Sequence, residues 1–312
     1  MSQYFLGVDG GQSSTTAVIG DENGRIAGWG SAGPCNHVSG TEARTKFLKV
    51  MSDCVTQAAA RAGLDPTHPR FRTACLGMSG GTDDKAALLK ELIVAEDVIV
   101  THDGRIALSG AMNGGPGMIV IAGTGSIAFG ESPAGETVRA GGWGYVYGDE
   151  GSAFDIARQA VRAILREHEG WGAHTALTPA LLEATDARDA NELMHRLYTP
   201  EWPRSRVATL APVVDQIAES GDPVAIDLLN SAAQHLALLA AAIRRQLFRE
   251  NEPSMLAWIG GVFGSATLLN RFRMLIELEG SVTAAPPAHA PAVGALLLAY
   301  RAAGLHLKIQ QT

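Results

Sequence analysis

The chain has 312 residues with a formal net charge of -7, and 46% of the residues are hydrophobic. A chain of this length can bury one large core or two moderate ones, and two are expected. The acidic balance, without a run of Lys or Arg, argues against a nucleic-acid partner. Three widely spaced cysteines without a CxxC pair exclude a disulfide framework.

The N-terminal residues MSQYFLGVDG have no basic region followed by an apolar stretch, so no signal peptide is expected. The most apolar helical stretch, 232–243, contains Gln234 and His235 and is too short to span a bilayer. The sequence therefore predicts a cytoplasmic protein without a membrane partner.

The first part of the chain alternates between strand and helix patterns. The predicted elements are strands at 4–8, 14–20 and 25–31, a helix at 41–62, a strand at 72–78, a helix at 83–94, a strand at 96–101 and a helix at 104–112. This alternation is typical of parallel α/β architecture.

The pattern breaks at 114–117 and restarts at 118–130, where MIVIAGTGSIAFG repeats the layout of FLGVDGGQSSTTAVI. Two copies of the same pattern, an apolar run, a Gly-rich turn and a second apolar run, suggest an internal duplication. Helices dominate 149–250, followed by a strand at 255–259, a helix near 265–278 and a last helix at 291–304. We expect a domain boundary near 115. Residues 1–115, with helix 291–304 packing back on them, form one α/β domain, and 116–290 form the other.

The turn in VDGGQSSTT has two interpretations. Its backbone, at Gly10, Gly11, Gln12 and Ser13, could cradle phosphate oxygens. The hydroxyls of Ser13, Ser14, Thr15 and Thr16 could donate to the same oxygens. Asp9 would then end a buried strand and hold Mg²⁺ through water. The pattern fits a simple capped hairpin equally well. It matches neither a P-loop nor a Rossmann fingerprint, because GK[ST] is absent and a strand follows the turn.

A second such turn, IAGTGSIAFG, favours the phosphate interpretation. Its Gly123, Thr124 and Gly125 would grip the other end of a polyphosphate. Two such hairpins would clamp a nucleotide between domains, where binding sites are often found.

Two carboxylates are candidates for the chemistry. Asp103 in THDGR follows an apolar strand and is either a helix N-cap or a general base at a strand's carboxyl end. In GGWGYVYGDEGS, Gly142 and Gly144 would let the backbone approach a sugar beside Trp143, and Asp149 would accept hydrogen bonds from sugar hydroxyls. Asp149 is also a candidate N-cap for a helix at 152–167.

These motifs resemble those of the sugar-kinase, actin and heat-shock ATPase superfamily. Within it, the chain looks like the N-acetylglucosamine kinase branch, which is related to the ATPases that activate benzoyl-CoA reductase. The most specific match is GGWGYVYGDEGSA, and WIGGVFGS looks like the adenosine motif. The resemblance implies two ribonuclease H-like domains flanking an interdomain cleft, and often a homodimer.

The resemblance also implies roles for particular residues. Asp103 is the implied base, and Asp9 helps to place Mg²⁺. The implied sugar contacts are Asn36, Gly142, Trp143, Gly144 and Asp149. The implied ATP contacts are Ser13, Thr124, Gly260, Gly261 and Ser265. Ile127 departs from the branch, which has a polar Asn there.

The leading prediction is an ATP-dependent kinase for the 6-hydroxyl of an amino sugar, with ATP and Mg²⁺ as cofactors. N-acetylglucosamine comes first among the sugars, then glucosamine, then N-acetylmuramic acid. A reductase activator needs cluster-binding cysteines, and all three cysteines precede residue 76. A catalytically silent sugar sensor would not need Asp103 and both phosphate turns.

Overall fold

The computed structural model describes residues 3–11, 13–35, 41–79 and 83–309. Two of the predicted site residues, Gln12 and Asn36, lie outside these ranges. Tertiary contacts divide the chain into two compact units. Unit 1 comprises Met1–Pro116 and Pro287–Thr312, and unit 2 comprises Gly117–Pro286.

Unit 1 consists of a five-stranded sheet and helices. Its elements are β1 (Tyr4–Gly10), β2 (Thr15–Asp21), β3 (Ile26–Ala32), α1 (Thr41–Arg61), β4 (Phe71–Met78), α2 (Asp83–Leu92), β5 (Ala95–His102), α3 (Asp103–Ala111) and, from the end of the chain, α11 (Pro291–Ala302).

The unit 1 sheet has the order β3-β2-β1-β4-β5. β1, β2 and β3 are antiparallel neighbours, whereas β4 and β5 run parallel to β1. β1 is buried on both faces, which is why it reads as a continuous apolar run. Leu6 and Val8 join the core that includes α1, while Phe5 joins the core that includes α11.

Unit 2 repeats this arrangement with more helices. Its elements are β6 (Gly117–Ala122), β7 (Ser126–Glu131), β8 (Thr137–Gly141), α4 (Ala153–His168), α5 (Leu177–Thr185), α6 (Ala190–Leu197), α7 (Arg204–Ala208), α8 (Ala211–Glu219), α9 (Pro223–Leu247), β9 (Ser254–Ile259), α10 (Ala266–Leu278) and β10 (Val282–Ala285).

The unit 2 sheet has the order β10-β9-β6-β7-β8. β6, β7 and β8 are antiparallel neighbours, and β9 and β10 run parallel to β6. The two units therefore share strand order and direction, which is the structural counterpart of the repeated hairpin in the sequence. The α/β class predicted from the sequence is confirmed.

Two strands were not predicted from the sequence, and the length of one apolar helix was underestimated. The edge strands β8 and β10 were missed. The apolar stretch expected at 232–243 belongs to a 25-residue helix, α9, the one described helix long and apolar enough to cross a membrane. α9 packs against α8, α10, α4 and the sheet of unit 2, as a core helix of a folded domain does.

Candidate active site

The parallel strands of unit 1 bring three polar residues to one edge of the sheet. Asp9 lies near the carboxyl end of β1, Ser79 follows β4, and Asp103 follows β5. Because β1, β4 and β5 are adjacent and parallel, their carboxyl ends meet at this edge. Ligands of open α/β sheets bind at such an edge.

Hydrogen bonds hold the Asp103 carboxylate at the start of α3. The Ser79 hydroxyl donates to Asp103 Oδ2 over 2.6 Å, and the Gly104 amide donates to Asp103 Oδ1 over 2.8 Å. The residue in the N-cap position is His102, so the alternative interpretation of Asp103 as the cap is wrong. Asp103 is exposed to solvent, as a general base must be to reach a substrate.

The electrostatics of this edge centre on Asp9. Burial, and secondly the negative charge of Asp103, raise the pKa of the Asp9 carboxyl to about 6. Two nearby carboxylates leave an excess of negative charge, which a divalent cation would relieve. Among the described residues, no group of three His, Cys, Asp or Glu could hold a metal alone. This donor set fits Mg²⁺, which uses one or two carboxylates together with water and substrate phosphates.

A buried lysine, Lys85, contacts the backbone of Ser79. Lys85 on α2 is 1% exposed, and its Nζ donates to the Ser79 carbonyl over 2.6 Å. Sequence reasoning missed Lys85 and Ser79, since neither stands in a recognisable motif. Together they fix the segment that positions Asp103.

The first predicted phosphate turn joins β1 to β2. The Gly11 amide donates to the Ser14 carbonyl over 3.0 Å, and the Gly10 carbonyl accepts from the Ser79 amide over 3.1 Å. Ser13 is exposed. The turn therefore lies beside the segment that carries Ser79.

In unit 2, the second predicted phosphate turn and the Gly-rich loop are joined by hydrogen bonds. The Ser126 amide donates to Asp149 Oδ1 over 3.3 Å, and the Ser126 hydroxyl donates to the Glu150 carbonyl over 2.7 Å. The Gly142 amide donates to the Ser126 carbonyl over 3.1 Å, and the Ala153 amide to the Gly123 carbonyl over 2.8 Å. The motif predicted for phosphate and the motif predicted for sugar are thus one connected structure.

The Gly-rich loop has the backbone that glycine allows. Gly141, Gly142 and Gly144 all have positive φ, and Trp143 between them is 68% exposed. Asp149 also has a positive φ, at 62°. In contrast to Trp143, Asp149 is buried and only 4% exposed. The N-cap of α4 is Ser152, whose hydroxyl accepts from the Asp155 amide, so the alternative interpretation of Asp149 as this cap is wrong.

A cavity of about 520 Å³ opens beside the second phosphate turn. Predicted nucleotide contacts from two motifs line it: Gly123, Thr124, Gly261 and Ser265. Gly260 lies between the end of β9 and Gly261. The other lining residues are largely apolar, which suits a flat base.

One charged side chain, Asp215 on α8, lines this cavity. The hydroxyl of Ser265, which also caps α10, donates a short hydrogen bond to Asp215 Oδ1. Sequence reasoning missed Asp215. The one signal was a carboxylate inside the apolar run PVVDQIA.

Arg204, at the start of α7, is the second charged residue that sequence reasoning missed in unit 2. Its Nη2 donates to the Thr124 carbonyl over 3.1 Å and makes a short ion pair with Asp149 Oδ2. The pair joins residues 55 positions apart, which no local pattern reveals.

Comparison with known proteins gives consistent findings. The profile of the BadF/BadG/BcrA/BcrD ATPase family matches residues 6–299. The chain is 30% identical over 283 residues to an N-acetylmuramic acid/N-acetylglucosamine kinase of Clostridium acetobutylicum, covering 89% of this chain and 91% of the relative. It is 29% identical to an N-acetyl-D-glucosamine kinase of Dictyostelium discoideum, covering 83% of this chain and 85% of the relative.

A solved structure is similar over nearly the whole chain. It is that of a candidate N-acetylglucosamine kinase from Chromobacterium violaceum, with a TM-score of 0.72 and 29% identity. The match covers 95% of this chain and 98% of the other. The resemblance to sugar kinases inferred from the motifs is confirmed, as is the α/β fold with two domains that it implied.

Proposed function

Because the chain belongs to the BadF/BadG/BcrA/BcrD ATPase family, we propose that it is an ATP-dependent kinase for the 6-hydroxyl of an amino sugar, with N-acetylglucosamine as the preferred substrate. The observation that carries the proposal is the Asp103 carboxylate, held by Ser79 beside Asp9 at the carboxyl edge of the unit 1 sheet. Two relatives that match most of the chain are kinases of N-acetylated amino sugars.

Each residue has a role in this proposal. Asp103 accepts the proton of the attacking hydroxyl. The backbone amides of Thr124 and Gly125 donate to phosphate oxygens, and the Gly123 amide holds the turn closed by donating to the Gly125 carbonyl over 2.9 Å. Gly261 and Ser265 contact the nucleoside. Asp9 holds Mg²⁺ through water, which neutralises phosphate charge. Catalysis then depends mainly on positioning and charge stabilisation, as in other phosphoryl transfers.

The sugar contacts in the proposal are Gly142, Trp143, Gly144 and Asp149, with Asn36 added by the resemblance. Ile127 is an apolar residue where the compared N-acetylglucosamine kinase has a polar Asn, so the sugar panel of the assay decides which 2-substituent is preferred. A Cβ on Gly142 would lie 2.4 Å from Ile127 Cδ1, so an apolar side chain packs directly against the Gly-rich loop 141–149. We call this segment the sugar loop, because it carries the proposed sugar contacts.

The alternative of a reductase activator has no support from the cysteines. Cys35, Cys54 and Cys75 are all buried and free in unit 1. Burial raises the pKa of the Cys54 and Cys75 thiols to about 12, which disfavours the thiolate that binds iron. We further propose a cytoplasmic location and a homodimer.

The test is a coupled assay of ADP release with Mg-ATP and N-acetylglucosamine, glucosamine, N-acetylmuramic acid or glucose. We expect release that depends on N-acetylglucosamine and is lost with its 6-deoxy analogue. Asp103→Asn should lower kcat by at least about a hundredfold, because the general base is gone. Asp97→Asn, on the exposed part of the same strand, is the matched control and should retain activity.

Other results would contradict the proposal in distinct ways. ADP release that is independent of every sugar would indicate an ATPase. Sugar binding without ADP release would indicate a sensor. Turnover of the 6-deoxy analogue would contradict the assignment of the 6-hydroxyl while keeping the kinase.

A further inference from the structure

Arg204 connects the second phosphate turn to the sugar loop. One nitrogen, Nη2, donates both to the Thr124 carbonyl, over 3.1 Å, and to Asp149 Oδ2. Neither oxygen can move far without displacing the shared donor. The carboxylate proposed to hold the sugar and the turn proposed to hold the phosphates therefore share one hydrogen-bond donor.

The packing around this donor leaves little freedom. A Cβ placed on Gly125 would lie 2.5 Å from Arg204 Nη2 and 2.8 Å from Asp149 Oδ2, so a larger residue at this point would displace the ion pair. Tyr145 of the sugar loop lies under the guanidinium, with its ring centre 5.4 Å from Cζ. Arg204 thus contacts the turn, the Asp149 carboxylate and the aromatic part of the loop at once.

Charge adds a reason for the arrangement. The Asp149 side chain is 6% exposed, and Arg204 is 33% exposed. A carboxylate that is so buried needs a cation beside it. Among the described residues, the buried Arg204 Nε has no hydrogen-bond partner, although guanidinium donors are normally paired when they are buried. Arg204 therefore retains a donor that is not used in maintaining the fold described here.

The chain continues from Arg204 into the nucleotide cavity. Ser205, Ala208 and Thr209, on and just after α7, line the cavity beside Thr124. A displacement of Arg204 is transmitted to this wall through a single turn of helix. The same residue is thus linked to the phosphate turn by a hydrogen bond and to the cavity by the backbone.

We propose that Arg204 couples the two substrate sites: a sugar held by Asp149 fixes Arg204, and Arg204 fixes the Thr124 turn for the phosphates. This inference rests on the proposed function. Arg204 is a positioning residue in this role. By linkage, sugar must tighten nucleotide binding by the same factor by which nucleotide tightens sugar binding.

The test is calorimetric. The dissociation constant of the Mg²⁺ complex of a non-hydrolysable ATP analogue is measured with and without saturating N-acetylglucosamine, and the reciprocal titration is done. In the wild type we expect coupling of about tenfold. In Arg204→Lys, which keeps the charge but loses the planar fork, we expect less than about threefold, while each ligand alone still binds.

Arg206→Lys is the matched control. Arg206 lies on the same helix, stacks on Trp202 at 4.1 Å and donates to the Glu201 carbonyl, away from Asp149. It should keep the wild-type coupling. Melting temperatures of all three proteins separate a folding defect from lost coupling. Lysine is the replacement because a neutral residue at 204 would leave the buried Asp149 carboxylate without a cation.

Three outcomes overturn the inference. Coupling in Arg204→Lys equal to that of the wild type, or a wild type that binds both ligands without coupling, would leave the kinase proposal intact. A wild type that binds neither ligand would overturn the kinase proposal as well. Lost coupling in Arg204→Lys with a preserved melting temperature supports the inference.

Discussion

Asp9 lowers the free energy of unfolding at neutral pH, and it is also the residue proposed to hold Mg²⁺. Its carboxyl is held at the edge of the unit 1 sheet, where burial and the neighbouring Asp103 raise its pKa from the usual 3.8 to about 6. Between these two values the folded protein binds a proton that the unfolded chain does not. The free energy of unfolding therefore falls as the pH rises through this window, and it stays lowered at neutral pH.

Asp9→Asn should remove this penalty. We expect the variant to be more stable than the wild type by roughly 2 kcal/mol near pH 7.5 and by much less near pH 4. It should also lose Mg²⁺-dependent turnover, since the proposed metal contact is gone. Denaturant unfolding at both pH values and the ADP-release assay measure the two effects. A variant that is less stable than the wild type at neutral pH would contradict this account, and Asp97→Asn provides the control.

Among single residues, the sequence identified as candidate site residues those that stand at the ends of strands. Asp9 and Asp103 were found because each directly follows or ends an apolar strand, and strand ends bind ligands. Arg204 and Asp215 were missed because their partners lie 50 or more positions away along the chain. Only the packing of the helices α7 and α8 brings them to the phosphate turn and the cavity.

At the scale of elements, periodicity predicted the strands and helices that are strongly buried. β1, β4, β6 and α11 have continuous apolar runs because they are covered on more than one side. The edge strands β8 and β10 are short and contain only half-buried and exposed residues, so their patterns resemble those of loops. An edge strand pairs on one side and needs less apolar sequence.

The contact between α3 and α11 gives a test of how elements position the site. Gly294 lies where the two helices approach most closely, and a Cβ there would lie 1.9 Å from the Ile106 carbonyl oxygen and 2.3 Å from the Gly110 amide nitrogen. Both of these atoms belong to backbone, so no side chain can rotate away. Since α3 begins with Asp103, a displaced helix also displaces the proposed base.

Gly294→Ala should therefore lower both stability and activity. Overpacking of this kind costs about 3 kcal/mol or more when backbone must move. Thermal unfolding and kcat for N-acetylglucosamine measure the two effects. Gly33→Ala is the control, because a Cβ there meets nothing within 4 Å and the backbone φ is not positive. If Gly294→Ala had an unchanged melting temperature, the prediction would be contradicted, because the two helices would then separate without cost.

For the whole molecule, the repeated hairpin in the sequence corresponded to two sheets of identical strand order. The sequence predicted this repeat because both copies start with an apolar strand, a Gly-rich turn and an antiparallel second strand. It did not reveal how many helices separate the later strands in each copy. Helices α4 to α9 all lie between β8 and β9, whereas one helix, α1, lies between β3 and β4.

Unit 1 is built from two distant segments of the chain, and unit 2 from one. α11 supplies a core of its own to unit 1, in which Tyr300 packs on Phe5 and donates to the Asp21 carbonyl over 2.8 Å. The largest apolar core of unit 2 lies entirely between Met118 and Ile276. Hydrophobic burial is the dominant stabilising contribution, so a unit that loses such a core loses its fold.

A chain that ends at residue 286 should therefore fail to fold unit 1, while residues 117–286 expressed alone should fold. Amide NMR spectra would give dispersed signals for the 117–286 fragment. The shortened chain would give these signals together with a set typical of unfolded residues. Adding back a peptide of residues 287–312 should restore dispersion if α11 alone was missing. Full dispersion in the shortened chain without the peptide would mean that β1 to β5 and α1 to α3 hold their own core, and that α11 is dispensable.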